Sequence, residues 1–323
     1  MAKNVMRIVA LCFALFGIAC ASILLVFAEQ EISPYTATFD RLSIATIIFL
    51  IGQVVSRVSD QQVDKSNTGG AALQIQSIFF PSKLSPTDIG LLVTSGIAFS
   101  GSLNLWAWSL TQTSVANSTL LNNMMPIFTT IGAWVFLREA FSPRFLVGMC
   151  IAIFGAIWIG LEDLQITNGL IGDEAALGAA LLAAINILSV EQLRKRFDTF
   201  WIMLWTSLIG SLFTLLILLA INEQFFPKTL VGWAAVILLA TLSQALGQGL
   251  LTYSLKKFSA GFVAVSMLSI PLIAALLAMV IFGERLTVLN WCAFGVVLFG
   301  MYISISAQAS QSTPEIEAQT SST

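Results

Sequence analysis

The apolar residues of this chain form long runs that short polar segments separate. A run of about 20 apolar residues matches the length of a helix that crosses the hydrocarbon core of a bilayer. Each of ten such runs predicts one transmembrane helix: 5–28, 35–56, 87–110, 115–137, 141–161, 174–193, 198–221, 230–252, 259–282 and 287–306. The predicted fold class is therefore an all-α integral membrane protein with ten transmembrane helices.

A segment of the first half returns in the second half when the chain is shifted by 145 positions. The register holds without a gap over 108–155 and 253–300, with nine identities in 48 aligned pairs. The most specific matches are a proline, a glutamate and a glycine that keep one spacing: Pro126/Pro271, Glu139/Glu284 and Gly155/Gly300. An internal repeat in so apolar a chain is typical of transporters built from two related halves.

The repeat divides the chain into two predicted five-helix domains, 5–161 and 174–306. The first contains a cytoplasmic insert, 57–86, whose apolar end forms either a short interfacial helix or a plain linker. The tail 307–323 is polar, and we expect it to be disordered in the cytoplasm.

Composition supports lipid as the solvent of this protein, because it is 57% hydrophobic and 10% charged, whereas soluble domains carry roughly 25% charged residues. The chain has no histidine, which removes the commonest general base and metal ligand. It also lacks P-loop, GxSxG and HExxH motifs. Cys12, Cys20, Cys150 and Cys292 lie in apolar runs without a CxxC pair, so we interpret them as free packing residues. We expect no enzyme activity, no cofactor, no metal and no nucleic-acid partner.

The distribution of Lys and Arg predicts the orientation. With the N-terminus in the cytoplasm, twelve lie on the cytoplasmic side, and only Lys228 and Arg285 lie outside. This positive-inside bias places both termini in the cytoplasm of a multi-pass protein of the cell inner (plasma) membrane. Because each half has five spans, an odd number, the second half is inverted relative to the first, and a site is expected near the midplane between them.

These features resemble the ten-helix EamA-type carriers of the drug/metabolite transporter superfamily. The resemblance rests on a proline thirteen positions before a glutamate in each half, on a glycine-containing last helix in each half, and on Ser33-Pro34 before Arg41 in span two. The early WG-x-N pattern of many members is absent, since span one reads IACAS. The resemblance implies an inverted-repeat carrier of amino acids, their analogues, other metabolites or drugs, often moved outward.

Polar side chains deep in a span need partners, and therefore face the protein interior or a water-filled cavity. We predict a neutral, amide-rich and aromatic substrate cavity lined by Ser22, Ser100, Asn104, Trp108, Asn122, Asn123, Asn186, Gln244, Gln248, Tyr253 and Ser266. For any single amide, the alternative is a structural hydrogen bond between helices.

Six further residues are candidates for movement or coupling. Pro126 and Pro271 each remove one backbone hydrogen bond and permit a hinge, with packing as the alternative. The candidates for gating or coupling are Asp40, Arg41, Glu139 and Glu284. For the charged pair in span two, the alternative is anchoring at the membrane interface.

The sequence predicts a secondary active transporter of small neutral or zwitterionic solutes, such as amino acids or related metabolites, that works by alternating access. The family resemblance implies that it is an exporter. Because the chain has no nucleotide-binding motif, we expect the energy for transport to come from an ion gradient or from solute exchange. A proton or an exchanged solute is therefore a candidate partner beside the substrate and the bilayer. Few positive charges lie within spans, which disfavours phosphate-bearing cargo. The alternatives are a uniporter or channel-like facilitator and a non-transporting scaffold, as a monomer or a homodimer.

Overall fold

The computed structural model describes residues 2–63, 84–113, 115–160, 170–283 and 287–320. Within these ranges the regular secondary structure is helical throughout. The helices are α1 (Ala2–Ala28), α2 (Pro34–Val63), α3 (Pro86–Gln112), α4 (Val115–Asn122), α5 (Met125–Leu137), α6 (Pro143–Gly160), α7 (Leu170–Arg194), α8 (Thr199–Ile221), α9 (Leu230–Leu238), a π-helix (Leu239–Gln248), α10 (Gly249–Ser254), α11 (Ala260–Met267), α12 (Ile270–Phe282) and α13 (Val288–Thr320).

Every predicted span corresponds to helical structure. In the described part of the chain, eight continuous or nearly continuous helical segments are long and apolar enough to cross a membrane. Two shorter apolar helices, Pro143–Trp158 and Val288–Ser304, correspond to predicted spans five and ten. The prediction of an all-α membrane protein with ten apolar spans is confirmed.

The structure differs from the predicted spans in four places. Spans four and nine are each divided into two helices, and span eight contains the π-helix. Helix α13 continues to Thr320, through a tail expected to be disordered; extending an existing helix needs no new nucleus. The apolar end of the predicted insert lies outside the described residues, because 64–83 are not described.

The helices group into two compact units. Unit 1 comprises Met1–Asn104 and Ser189–Lys257, and unit 2 comprises Leu105–Leu188 and Phe258–Thr323. Each unit therefore takes residues from both predicted sequence repeats.

Unit 1 is held together by close helix packing around α2 and the π-helix. Phe49 of α2 packs in a buried cluster with Met203 and Leu204 of α8. On α1, a Cβ added at Gly17 would lie 2.7 Å from the carbonyl oxygen of Leu242 in the π-helix. Small residues permit this approach of two backbones, as is common between membrane helices.

At one end of unit 1, Glu31 joins the α1–α2 loop to the α8–α9 loop. Its carboxylate accepts hydrogen bonds from the backbone N–H groups of Lys228 (3.2 Å) and Thr229 (3.1 Å) and from the Thr229 hydroxyl. Gln224 Nε2 donates to the Glu31 carbonyl oxygen over 2.7 Å. The Thr229 hydroxyl first, and the backbone N–H groups with it, lower the pKa of the Glu31 carboxyl. Because Thr229 caps α9, this anion stabilises the beginning of that helix.

In unit 2, the helix boundaries reproduce the sequence repeat. Helices α4 and α11 begin 145 residues apart, as do α5 and α12, and α6 and α13. Helices α5 and α12 both end at a residue in the left-handed conformation, Arg138 (φ 55°) and Gly283 (φ 69°), again 145 apart. The weak sequence repeat is therefore a repeat of backbone structure.

Helices α6 and α13 of unit 2 pack through glycines. A Cβ added at Gly300 would lie 2.3 Å from the backbone nitrogen of Ala152, and one added at Gly155 would lie 2.7 Å from that of Val297. Because Gly300 and Val297 are the repeat mates of Gly155 and Ala152, the two contacts are the same contact with the repeats exchanged. This reciprocity is what a two-fold relation between two helices produces.

Candidate functional site

Asp40 and Arg41 lie on α2 in the interior of unit 1. They are 2% and 5% exposed, so neither side chain reaches the protein surface. Asp40 Oδ2 and Arg41 Nε have no hydrogen-bond partner among the described residues. Neighbours on a helix point about 100° apart, and no ion pair joins these two. Charged groups buried in this way are costly, and in membrane proteins they mark functional sites.

The polar face of α3 packs against α8. Asn104 Nδ2 donates to Thr214 Oγ1 over 3.0 Å, and Ser100 Oγ donates to the Gly96 carbonyl oxygen over 2.9 Å. A Cβ added at Gly96 would lie 2.7 Å from Ile209 of α8. For Ser100 and Asn104, these contacts favour structural hydrogen bonding over cavity lining, although Asn104 Oδ1 stays buried without a partner.

Two buried glutamine side chains of unit 1 make no hydrogen bond to any described residue. Gln53 on α2 and Gln244 in the π-helix are 0% and 1% exposed. Neither amide nitrogen nor amide oxygen of either side chain has a partner in the described part of the chain. Buried amides normally find partners, so these two are free to bind a ligand or water. The nearby Gln248, also predicted, is half-buried.

Sequence reasoning missed Gln53 and the π-helix. Gln53 falls in the last turn of predicted span two, where a polar residue marks the approach to water. Its position between the apolar residues 47–52 and 54–55 was the available signal. The π-helix spans ten residues around Gln244. Such segments are rare and frequently occur at functional sites.

In unit 2, a break between α4 and α5 follows Asn122 and Asn123. Met124 N–H donates to the Leu121 carbonyl oxygen over 3.1 Å, a tightened turn, and α5 then begins with Pro126 in its first turn. Asn122 Oδ1 and Asn123 Nδ2 are buried without partners among the described residues. The break therefore brings two unused amide atoms to one point of unit 2.

The repeat mate of this break lies between α11 and α12. Ser269 N–H donates to the Ser266 carbonyl oxygen over 3.1 Å, and Pro271 lies in the first turn of α12. The two prolines were expected to lie within continuous helices. They lie instead where a helix restarts, since proline is tolerated in the first turn, where its missing N–H has no helical partner. The Ser266 hydroxyl donates within its own helix, to the Phe262 carbonyl oxygen over 2.9 Å.

The predicted glutamates follow the ends of α5 and α12. Glu139 N–H donates to the Ala133 carbonyl oxygen over 3.1 Å and so closes the end of α5. Its Oε2 is buried without a partner in the described ranges, which retains it as a gating candidate. Glu284 lies outside the described residues.

The remaining predicted lining residues are dispersed. In unit 2, Trp108 is partly exposed and Asn186 is half-buried with its own partner. In unit 1, Ser22 and Tyr253 are exposed. The predicted lining residues are thus divided between the two units, and their environments differ from one residue to the next. Among the described residues, no cluster of three His, Cys, Asp or Glu side chains could hold a metal ion.

Comparison with known proteins gives a family match over nearly the whole chain. The EamA-like transporter family matches residues 6–161 and 170–306. Solute carrier family 35 member G1 of Mus musculus is 28% identical over 186 residues, which cover 54% of this chain and 50% of that protein. The chain thus aligns with about half the length of this curated relative.

A second relative and a solved structure match over greater lengths. An uncharacterized transporter of Clostridium kluyveri is 24% identical over 312 residues, covering 92% of this chain and 94% of its own. One crystal structure superposes with a TM-score of 0.76 at 13% identity, covering 94% of this chain and 99% of its own. At that identity, the structural likeness shows a shared fold.

Proposed function

Because this chain belongs to the EamA-like transporter family, we propose that it is a secondary active transporter of small neutral or zwitterionic organic solutes. Amino acids and related metabolites are the proposed cargo, and the proposed direction is outward. Alternating access between the two membrane sides is the proposed mechanism.

The observation that carries this proposal is the pair of buried charged side chains on α2, Asp40 and Arg41, each of which has a polar atom without a hydrogen-bond partner among the described residues. An isolated charge in a protein interior costs several kcal/mol unless something supplies a counter-charge or hydrogen bonds. A zwitterion brings both: its carboxylate matches Arg41, and its ammonium group matches Asp40. Asp40 also offers a place for a coupling proton, since a carboxyl can carry one.

The unused amides support a neutral or zwitterionic cargo over a strongly anionic one. Gln53 and Gln244 in unit 1 each offer a donor and an acceptor, and so suit polar groups without net charge. Arg41 is accompanied on α2 by an acidic neighbour, so it does not create the concentrated positive charge that a phosphate needs.

Counterflow into liposomes tests the proposal. Purified protein is reconstituted with unlabelled amino acid inside, and the uptake of labelled amino acid is measured for a panel of neutral side chains. We expect saturable uptake that internal substrate accelerates, because a carrier exchanges cargo across the membrane. A channel gives flux without this acceleration, and a scaffold gives no flux, so either result contradicts the proposal.

The matched variants are Asp40→Asn, Arg41→Gln and, as a control on the same helix, Thr46→Val. The Thr46 hydroxyl donates to the Leu42 carbonyl oxygen over 2.7 Å and so has its partner already. We expect counterflow to fall at least about tenfold in the first two variants, the equivalent of one lost charged hydrogen bond, and to be retained in the control. Wild-type counterflow in both charge variants would remove the main support for the proposal. Uptake into everted compared with right-side-out membrane vesicles tests the direction.

A further inference from the structure

A cavity of about 800 Å³ lies within unit 1, lined by the turn between α7 and α8, the beginning of α8, the π-helix, α10 and the residues after it, and Phe49 of α2. Its charged lining is strongly basic: Arg194, Lys195, Arg196, Lys256 and Lys257. One acidic residue, Asp198, also lines it. The lining therefore carries five positive charges and one negative charge, an excess of four.

Two of the arginines already have partners. Arg196 pairs with the Asp88 carboxylate at 2.6 Å. Arg194 donates from Nε to the Thr252 carbonyl oxygen over 3.1 Å and from Nη1 to the Phe197 carbonyl oxygen over 2.6 Å. These contacts fix the shape of the cavity wall, and Arg194 keeps its positive charge because carbonyl oxygens do not neutralise it.

The lysines are the available cations. Lys256 and Lys257 are exposed at the cavity, and their ammonium groups have no ion pair or side-chain hydrogen bond in the described part of the chain. Lys195 is exposed as well and has only a neutral partner, the Gln192 amide oxygen at 3.3 Å. Three ammonium groups thus line one cavity, and Asp198 is the single acidic residue among its lining residues.

The rest of the cavity lining is largely apolar. It includes Phe200, Leu246 and Leu250. Phe200 and Leu246 are 42% and 56% exposed, as is expected of side chains that contact acyl chains in a membrane-spanning helix. The cavity therefore combines basic side chains with apolar side chains that are themselves exposed.

This combination fits an amphipathic anion. A soluble phosphate would neutralise the lysines but would leave the exposed apolar side chains uncovered. A phospholipid can do both, because its phosphate pairs with the lysines and its acyl chain covers the apolar side chains. The positive-inside prediction directs this end of unit 1 toward the cytoplasm, where anionic lipids are concentrated, and basic pockets between helices on that side bind their headgroups.

We propose that this cavity is a binding site for the headgroup of an anionic phospholipid, with the phosphate near Lys256 and Lys257 and an acyl chain along Phe200 and Leu246. The proposal concerns a lipid that stays bound, and it does not depend on which solute the protein transports.

The test uses the full chain, purified in a neutral detergent. Native mass spectrometry titrates phosphatidylglycerol and phosphatidylcholine with identical acyl chains. The key variant is the double substitution Lys256→Gln and Lys257→Gln. Lys256→Arg with Lys257→Arg keeps the charge. Lys228→Gln, an exposed lysine outside the cavity, is the matched control for loss of one charge.

We expect phosphatidylglycerol to bind about tenfold or more tightly than phosphatidylcholine, and the double glutamine variant to lose that preference, because each surface cation attracts an anionic headgroup measurably. The arginine pair and Lys228→Gln should stay within about twofold of the wild type. Equal binding of the two lipids, or an unchanged preference in the glutamine variant, would overturn the site. In a second titration, glycerol 3-phosphate, a soluble phosphate without acyl chains, competes with phosphatidylglycerol. If it displaces the lipid at concentrations equal to those of the lipid, the cavity is a site for free phosphate and the lipid assignment is refuted.

Discussion

The contact between α6 and α13 permits a comparison of two glycines on one helix. A Cβ added at Gly300 would lie 2.3 Å from Ala152 N and 2.7 Å from the Gly148 carbonyl oxygen, whereas one added at Gly295 would meet nothing within 4 Å. Both obstacles at Gly300 are backbone atoms, so no rotation of a side chain can relieve the clash. We expect Gly300→Ala to push the helices apart and Gly295→Ala to leave them in place.

The magnitude follows from two contributions. Alanine gains about 1 kcal/mol over glycine in a helix interior, and this gain is similar at both positions. Overpacking a tight contact costs about 1–3 kcal/mol, and only Gly300→Ala incurs it. The difference between the two variants therefore isolates the packing cost. We expect Gly295→Ala to be neutral or slightly stabilising, and Gly300→Ala to be less stable than Gly295→Ala by about 1–3 kcal/mol.

Apparent melting temperatures of the purified variants in one detergent measure this difference. For 150–250 residues, about 1 kcal/mol corresponds to about 2–4 °C, so a separation of about 2–12 °C is expected. Gly155→Ala should resemble Gly300→Ala, because its Cβ would lie 2.7 Å from Val297 N. Equal melting temperatures for Gly295→Ala and Gly300→Ala would show that the helices do not pack through this glycine.

Two further predictions concern the loops and the helix breaks. The Glu31 carboxyl has a lowered pKa in the folded protein. The ionised carboxylate therefore contributes its full stabilisation of the fold above the ordinary pKa of 4.5, and this contribution is lost as the pH falls through the lower folded value. Glu31→Gln should reduce the melting temperature at pH 7 and have a vanishing effect in acid. A constant difference at every pH would contradict this. Pro126→Ala and Pro271→Ala should allow each helix break to close. We expect slower counterflow with nearly unchanged substrate affinity, because a hinge sets the rate of interconversion between the inward-open and outward-open states. Counterflow at the wild-type rate in both variants would show that the prolines are packing elements.

Much of the fold followed from hydropathy because a helix in lipid must satisfy its backbone hydrogen bonds internally. The ten apolar runs therefore predicted ten helical spans. The π-helix was not predictable in this way. It packs where Gly17 lies against Leu242, a contact between residues 225 positions apart that no local pattern reports.

The partners of the candidate site residues could not be predicted, because periodicity identifies a face of a helix but not the element opposite it. Asn104 lies on the polar face of α3, and its hydrogen bond to Thr214 of α8 joins residues 110 positions apart, which no local pattern reports. Gln244 was a predicted site residue, and its amide is buried without a partner in the part of the chain that the structure describes; Gln53 has the same property and was missed. Whether the predicted lining residues bind a substrate stays a prediction.

The glycine contact between α6 and α13 also has a consequence for biosynthesis. Helix α6 leaves the ribosome more than a hundred residues before α13 does, so its glycine face has no permanent neighbour while the intervening spans are inserted. A strip of bare backbone in lipid attracts other helices, and a nascent chain with this strip is open to wrong partners. Synthesis that stops before α13 should therefore leave a protein that is inserted in the membrane but prone to degradation, however complete its other helices are.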